Sequence, residues 1–206
     1  VIDRALDLRE RYPFYDIEII DGRTISLRFA SNFLLSKLYS VMLEESMRFQ
    51  ILDRLFREKY VSLENTAQQH FVSNRTVQRK LKEIMDILEN YNISLNLKRK
   101  PLFVGEEYRI RHFFHIMYWQ IFDGSNVRYF GLTQKSITGF KERLAMYPSC
   151  YRGIDQEKFI QLLALSLYRL KRGFVLKEIP PTMTETCHLT IPFEQFKNEL
   201  IMPLLR

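Results

Sequence analysis

The sequence predicts a mainly α-helical protein that carries small β-hairpins. Apolar residues recur at steps of three and four along several long segments, which indicates helices with one buried face. Two other segments place β-favouring residues on either side of a turn, which indicates hairpins. The chain of 206 residues is 46% hydrophobic and 14% aromatic, which is enough for a packed core in one or two domains.

The net charge and the lack of apolar runs indicate what kind of partner and what setting to expect for the protein. The formal net charge is +7, which favours an anionic partner without naming one. No run of about 18 apolar residues occurs, so we expect no membrane span. No signal-peptide pattern is evident, and the two cysteines, Cys150 and Cys187, lie far apart. We therefore expect a reduced, cytoplasmic protein.

The first third of the chain predicts a helix, a hairpin and one or two further helices. Residues 1–12 form an amphipathic pattern that Pro13 ends. The stretch "DIEIIDGRTISLRF" places two β-rich runs around an Asp-Gly pair, a strong hairpin signal. Ser31 or Asn32 can cap the next helix. Its apolar stripe is interrupted at residues 44–46, which predicts two helices or one kinked helix, with inward positions Leu35, Leu38, Met42, Phe49, Leu52 and Phe56.

Two serines predict the starts of the next two helices. Ser62 can cap a short helix, and Ser73 can cap a longer one that runs to about Asn90. The longer helix has one apolar face, made of Val77, Leu81, Ile84, Leu88 and Tyr91. The runs "ISLNL" and "LFV" then flank "KRKP", which predicts a second hairpin with a basic tip.

The remainder of the chain is predicted to be helical with one long loop. A helix opens at Glu106 and Glu107, and it has two rows of apolar and aromatic residues. The first row is Ile110, Phe113, Phe114, Met117 and Ile121, and the second is Tyr108, His112, His115 and Trp119. We expect burial on both sides. Further helices are predicted near 133–147, near 155–172 and from Pro192, with a loop over 173–190.

An offset of 76 residues suggests an internal repeat. It places Tyr15 on Tyr91, Ile17 on Ile93 and Arg23 on Arg99. In both copies a helix precedes a hairpin. We therefore expect residues 1–30 to be the remainder of a first unit whose front half is absent. The first residue, Val1, is consistent with a fragment, although a coincidental register remains the alternative.

The stretch "SLENTAQQHFVSNRTVQRKLKEI" predicts a helix-turn-helix. Such a motif needs a small residue in its first helix, here Ala67, and apolar residues at Val72 and Val77. Arg pairs well with guanine, and Asn or Gln pairs with adenine, while Lys suits phosphates. We expect the DNA-binding residues to be Ser73, Asn74, Arg75, Thr76, Gln78, Arg79 and Lys82, with Lys98, Arg99 and Lys100 on a wing.

Two other interpretations of the basic helix stay open. A basic helix face is most often an ordinary solvated surface. A winged helix can also serve as a dimerisation or docking module whose basic face meets an acidic protein partner. Binding to a random DNA duplex across a salt series separates these interpretations from DNA recognition.

The motif residues resemble those of the Mga-type regulators of Gram-positive bacteria. The family pattern of apolar-Ser-x-x-Thr-apolar-x-Arg falls here on Val72, Ser73, Thr76, Val77 and Arg79. The later pattern falls on Gly105, Glu106, Ile110, Arg111, Phe113 and Phe114. The resemblance covers about residues 47–122. The sequence departs from the family at Thr66 and His70, where Leu is usual, so we expect looser packing of the first helix.

The resemblance implies a domain plan and a function. It implies tandem winged helices, with the second over residues 31–105, and a partial α-helical regulation-domain-like bundle over 106–206. The implied function is a DNA-binding transcription regulator, an activator of virulence, stress or carbohydrate-linked genes, and not an enzyme. Its implied partners are double-stranded DNA, a second copy in a homodimer, and phosphocarrier proteins of the phosphotransferase system.

Other chemistry has weak support in the sequence. His112 and His115 lie three residues apart on a predicted helix, but no third metal ligand is evident nearby. Cys187 and His188 are adjacent without an orienting acid, so no catalytic residue is assigned. We expect no metal and no cofactor. The resemblance implies a phosphorylated histidine, but His188 in a predicted loop is not favoured as the acceptor.

Overall fold

The computed structural model describes residues 15–19, 25–29, 35–99, 102–122, 129–147, 155–177 and 192–205. Its architecture confirms the predicted class, mainly α-helical with small antiparallel hairpins. Within these ranges, no helix has the length and hydrophobicity needed to cross a bilayer. The predictions for residues 1–12, Lys100, Cys187 and His188 lie outside the described residues.

The first hairpin is confirmed. Strand β1 (Tyr15–Ile19) pairs antiparallel with β2 (Ile25–Phe29), with Ile17 opposite Leu27. Moving the pairing along the chain by the proposed repeat of 76 residues would place Ser94 opposite Leu102. The second hairpin instead pairs Ser94 with Val104. The two hairpins therefore fall at equivalent places in the chain, but their registers differ by two residues.

Two helices follow the first hairpin, as the interrupted stripe predicted. Helix α1 (Leu35–Glu44) ends just before Ser46, whose Oγ caps α2 (Met47–Phe56) by accepting from Phe49 N at 3.3 Å. The prediction that Met42 faces the core is wrong, because its side chain is 50% exposed. Helix α1 does contact α5, and the neighbouring residue Val41 is half-buried.

The next two helices begin at the predicted caps. Ser62 Oγ accepts from Asn65 N at the start of α3 (Leu63–Gln69), and Ser73 Oγ accepts from Thr76 N at the start of α4 (Asn74–Glu89). The apolar face of α4 is confirmed, with buried side chains at Val77, Leu81, Ile84 and Leu88. Tyr91 packs half-buried against the same core.

The second hairpin and the helix after it complete a compact unit. Strands β3 (Ser94–Leu95) and β4 (Phe103–Val104) pair, and β3 contacts α4. Helix α5 (Glu107–Phe122) follows directly. Its buried residues share one hydrophobic cluster with α2, α3 and α4. The helix after the wing is thus part of the same packed core as the helix-turn-helix.

The burial of α5 differs in part from the expectation. His112 is exposed, and Tyr108, His115 and Trp119 are only half-buried, so the second predicted row does not form a buried side. The second buried flank runs instead through Tyr118, which has no exposed surface, and Phe122. Periodicity alone placed the row wrongly because aromatic residues lie on almost every side of this helix.

In the described residues after α5, there are three further helical stretches. Helix α6 (Gln134–Ala145) is capped by Thr133, and α7 (Gln156–Leu170) is capped by Asp155, as the predicted spans require. The last helical stretch begins after Pro192 with α8 (Phe193–Phe196), continues as a π-helix over Lys197–Ile201, and ends with α9 (Met202–Leu205). Residues 173–177 are non-helical, in agreement with the predicted loop.

Helix α7 joins two hydrophobic clusters. Ala164, Leu165 and Tyr168 pack into the cluster of the helix-turn-helix unit. Ile160 and Leu167 pack into a second cluster with α6 and the last helical stretch. A single helix therefore contributes to both cores, which fixes the C-terminal helices against the N-terminal unit.

Buried polar contacts reinforce this junction. Glu107 accepts from Arg111 Nε at 2.9 Å and from Arg169 Nε and Nη2 at 2.9 and 2.5 Å. The side chain of Arg169 is 3% exposed, and its guanidinium also covers the ring of Phe174 at 3.7 Å. Arg111 donates to the carbonyl oxygen of Phe174 at 2.8 Å. One carboxylate thus holds two arginines between α5 and α7.

Candidate nucleic-acid interface

At the crossing of α3 and α4, one buried side chain is small and another has its hydroxyl hydrogen-bonded locally. Ala67 is buried at the crossing, as predicted. Thr66 is 1% exposed, and its hydroxyl donates to the carbonyl oxygen of Ser62 at 2.8 Å. Thr66 therefore occupies a buried position where leucine was expected, because its one polar group is hydrogen-bonded locally. His70 caps the end of α3 and is half-buried.

A tight turn joins the two helices. Val72 N donates to the carbonyl oxygen of Ala67 at 3.0 Å, and the Val72 side chain packs half-buried on the core. Phe71 adopts a left-handed backbone conformation with φ of 53°. Its side chain is 96% exposed, so the turn places a large apolar ring in solvent. Glycine is the residue that adopts this conformation most easily.

The N-terminal end of α4 is well defined. Ser73 Oγ accepts from Thr76 N at 3.2 Å and also lies 3.0 Å from Thr76 Oγ1. These two hydroxyl groups therefore use part of their hydrogen-bonding capacity on each other. The first amides of a helix have no carbonyl partner one turn earlier, and they carry the positive end of the helix dipole. This end can bind a phosphate oxygen.

The predicted reading face of α4 is free of the protein's own chain. Five of its side chains are exposed, and Thr76 is half-buried; the exposed set is Asn74, Arg75, Gln78, Arg79 and Lys82. A shallow depression lies along this face, lined by Ser73, Arg75, Thr76, Gln78, Arg79 and Lys82. The depression thus brings together the predicted residues of this face except Asn74, which is exposed but does not line it.

The charge of this face is not cancelled within the protein. Among the described residues, no ion pair involves Arg75, Arg79 or Lys82. The nearby acid Glu83 is paired with Lys80 at 2.9 Å and with Arg48 at 3.6 Å. The hydrogen bond from Lys80 and the surrounding cations lower the pKa of Glu83. The exposed face therefore presents an unpaired cationic row to solvent.

The wing presents a second cationic patch. Lys98 and Arg99 are both exposed at the described part of its tip, while Lys100 lies outside the described residues. Asn96 N donates to the carbonyl oxygen of Leu102 at 2.7 Å across the base of the loop. Gly105 ends the wing, where an added Cβ would lie 2.9 Å from the carbonyl oxygen of Asn92. Only glycine fits this close approach without a backbone shift.

Sequence reasoning missed three features of this region. It gave no role to Asn96, although an Asn at the start of a polar loop is a signal for a side-chain-capped turn. It did not foresee that Arg48, on α2, would reach Glu83 on α4, because that contact depends on how the helices pack. It gave no indication that the ring of Phe71, in the turn, is exposed.

The two histidines on α5 differ in their surroundings. His112 is exposed, while His115 is half-buried against Gln161 on α7. Over the part of the chain that the structure describes, no group of three or more His, Cys, Asp or Glu residues could hold a metal ion.

Two helices crossing at Ala67, a capped second helix with a cationic face, and a hairpin packed against it define a winged helix-turn-helix, a class of DNA-binding domain. Residues 31–118 match the family model of the Mga helix-turn-helix domain. This segment is similar to the helix-turn-helix domain of the Mga-type regulators, which confirms the resemblance. The match does not extend over α6 to α9. No curated protein matches the chain.

Proposed function

We propose that this protein is a sequence-specific, DNA-binding transcription regulator whose α4 enters the major groove. The observation that carries the proposal is the exposed, unpaired cationic face of α4 beside a capped helix end. An apolar partner would remove the hydration of these charges without replacing it. A polyanion instead supplies opposite charges that attract them. The family match over residues 31–118 supports the same conclusion.

The interface residues divide into two proposed roles. Asn74, Arg75, Gln78 and Arg79 would read base edges, because guanidinium and carboxamide groups match guanine and adenine in the major groove. Ser73 and Thr76 would orient the helix end towards a phosphate. The flexible ammonium groups would neutralise phosphates together with the wing arginine, the set being Lys82, Lys98, Arg99 and Lys100. Base contacts set the preferred sequence, and phosphate contacts set the salt dependence.

The wider biological role rests on the family resemblance. We propose that the protein is an activator of virulence, stress or carbohydrate-linked genes and that it works in the cytoplasm as a homodimer. Residues 1–30 would belong to a first winged unit. The helices after the wing would belong to a regulation domain on which phosphocarrier proteins act. No catalytic activity is proposed.

Binding to a random DNA duplex tests the proposed function. Fluorescence anisotropy across a salt series should give binding at low salt that weakens steeply as salt rises. An acidic protein or peptide of similar charge density serves as the matched competitor. Absence of duplex binding at low salt, with binding to the acidic partner, would identify a docking module instead.

The DNA sequence that the protein prefers can then be identified with the intact protein in cells. Genomic footprinting should reveal a recurring motif at a limited set of promoters. Occupancy spread evenly over the genome would contradict sequence-specific recognition, although non-specific DNA binding would remain.

A further inference from the structure

The tip of the wing is held by one side chain that has no assigned role. Asn96 Oδ1 accepts from the backbone amides of Lys98 at 3.1 Å and Arg99 at 3.2 Å. This is an Asx-type turn, in which a side chain replaces a backbone acceptor. Its effect is to fix the backbone of the two residues whose cationic side chains are exposed.

We infer that Asn96 is a positioning residue for DNA binding, which it prepares by ordering the wing tip before DNA arrives. The inference rests on the proposed function. Because Asn96 Oδ1 engages both tip amides, those amides are turned inward and the side chains of Lys98 and Arg99 project outward. A wing ordered in advance loses less conformational entropy when its charges meet a phosphate.

The surrounding geometry supports a preformed wing rather than a loose one. At the base of the loop, the backbone amide of Asn96 donates to the carbonyl oxygen of Leu102. Ser94 Oγ donates to the carbonyl oxygen of Val104 at 3.3 Å. Leu97 and Leu102 pack half-buried on the core of the helix-turn-helix unit. The base of the wing is therefore anchored on both strands, and Asn96 orders the backbone of Lys98 and Arg99 beyond it.

Removing the acceptor should weaken DNA binding without removing charge. Asn96→Ala should lower affinity for a duplex by about three- to tenfold, the usual effect of ordering a few groups on binding. The slope of log affinity against log salt should stay as in the wild-type protein, because no cation is lost. Arg99→Ala should instead flatten that slope by about 1.

Two further variants separate positioning from damage to the fold. Asn96→Ser retains a weaker acceptor for the same turn, so it should recover part of the lost affinity. Asn198→Ala makes the same chemical change at an exposed position of the π-helix and should bind as the wild-type protein does. Backbone NMR relaxation of Lys98 and Arg99 in the free protein should show the largest increase in motion in Asn96→Ala, a smaller one in Asn96→Ser and none in Asn198→Ala.

The outcomes distinguish this inference from the proposed function. If Asn96→Ala binds as tightly as the wild-type protein while Arg99→Ala binds more weakly, the positioning role is wrong and DNA binding stands. If Asn96→Ala flattens the salt slope as much as Arg99→Ala does, Asn96 does not act by ordering. If the wild-type protein itself shows no salt-dependent duplex binding, the proposed function fails.

Discussion

At the residue scale, the face of α4 could be predicted from the sequence because helical spacing decides it. Val77, Leu81 and Ile84 repeat at steps of three and four, so the residues between them must face away from the core. The exposed positions of Arg75 and Gln78 follow from that pattern. The Asn96 turn could not be predicted in the same way, since it depends on a loop conformation that periodicity does not determine.

A substitution at the reading face should affect both affinity and preference. Arg75→Ala or Gln78→Ala should cost about 1–3 kcal/mol of binding free energy on the preferred site and relax selectivity at one base pair. Titration of a panel of single-base operator variants measures both quantities. Equal losses on every duplex, with selectivity unchanged, would assign these side chains to phosphates instead.

At the element scale, the helices could be predicted but their junctions could not. The helices predicted near 133–147 and near 155–172 are α6 and α7, which begin after the caps Thr133 and Asp155. Glu107 and Arg169 meet across 62 residues, and no local pattern indicates such a contact. The same limit explains the error at Met42, because the side of α1 that faces the core depends on where α5 lies.

The carboxylate between α5 and α7 should be important for stability. Glu107→Ala leaves the guanidinium groups of Arg111 and Arg169 without their buried counter-charge, so it should lower the unfolding free energy by about 3–5 kcal/mol. Urea denaturation measures this. Glu106→Ala is the matched control, because its partner Arg109 lies at the surface and exposed ion pairs contribute little to stability. Equal losses in both variants would contradict the assigned role.

The stability that the contact between α5 and α7 provides should also depend on pH. Burial lowers the pKa of His115 below its ordinary value of 6.5, and the charges of His112 and Lys158 act in the same direction. Gln161 acts in the opposite direction, although its buried amide atoms and His115 Nδ1 lie outside hydrogen-bonding geometry. Burial dominates, so the folded protein favours the neutral imidazole.

The sign of the pH effect follows from proton uptake. Below pH 6.5 the unfolded chain binds a proton at His115 more readily than the folded protein does, so stability falls as pH falls. His115→Gln should flatten the unfolding free energy between about pH 7 and pH 5 relative to the wild-type protein, measured by urea denaturation. His112→Gln, at an exposed position of the same helix, is the control. A wild-type profile that His115→Gln leaves unaltered would contradict the prediction.

At the scale of the whole molecule, α7 couples the C-terminal helices to the DNA-binding unit. Tyr168 stacks on Phe56 of α2, with ring centroids 5.6 Å apart, while Leu167 packs on the opposite cluster. Composition and periodicity predicted the mainly helical class and the winged unit correctly. They could not predict that one helix serves two cores, because that arrangement depends on contacts between segments far apart in the chain.

Site-specific photocrosslinking offers the sharpest test of whether the exposed face of α4 lies against DNA bases. A photoreactive phenylalanine analogue in place of Gln78 should crosslink to bases of a bound duplex. The same analogue in place of Ile87, an exposed position on the opposite side of the same helix, should not. Crosslinks from position 87 with none from position 78 would show that α4 does not read DNA through its cationic face.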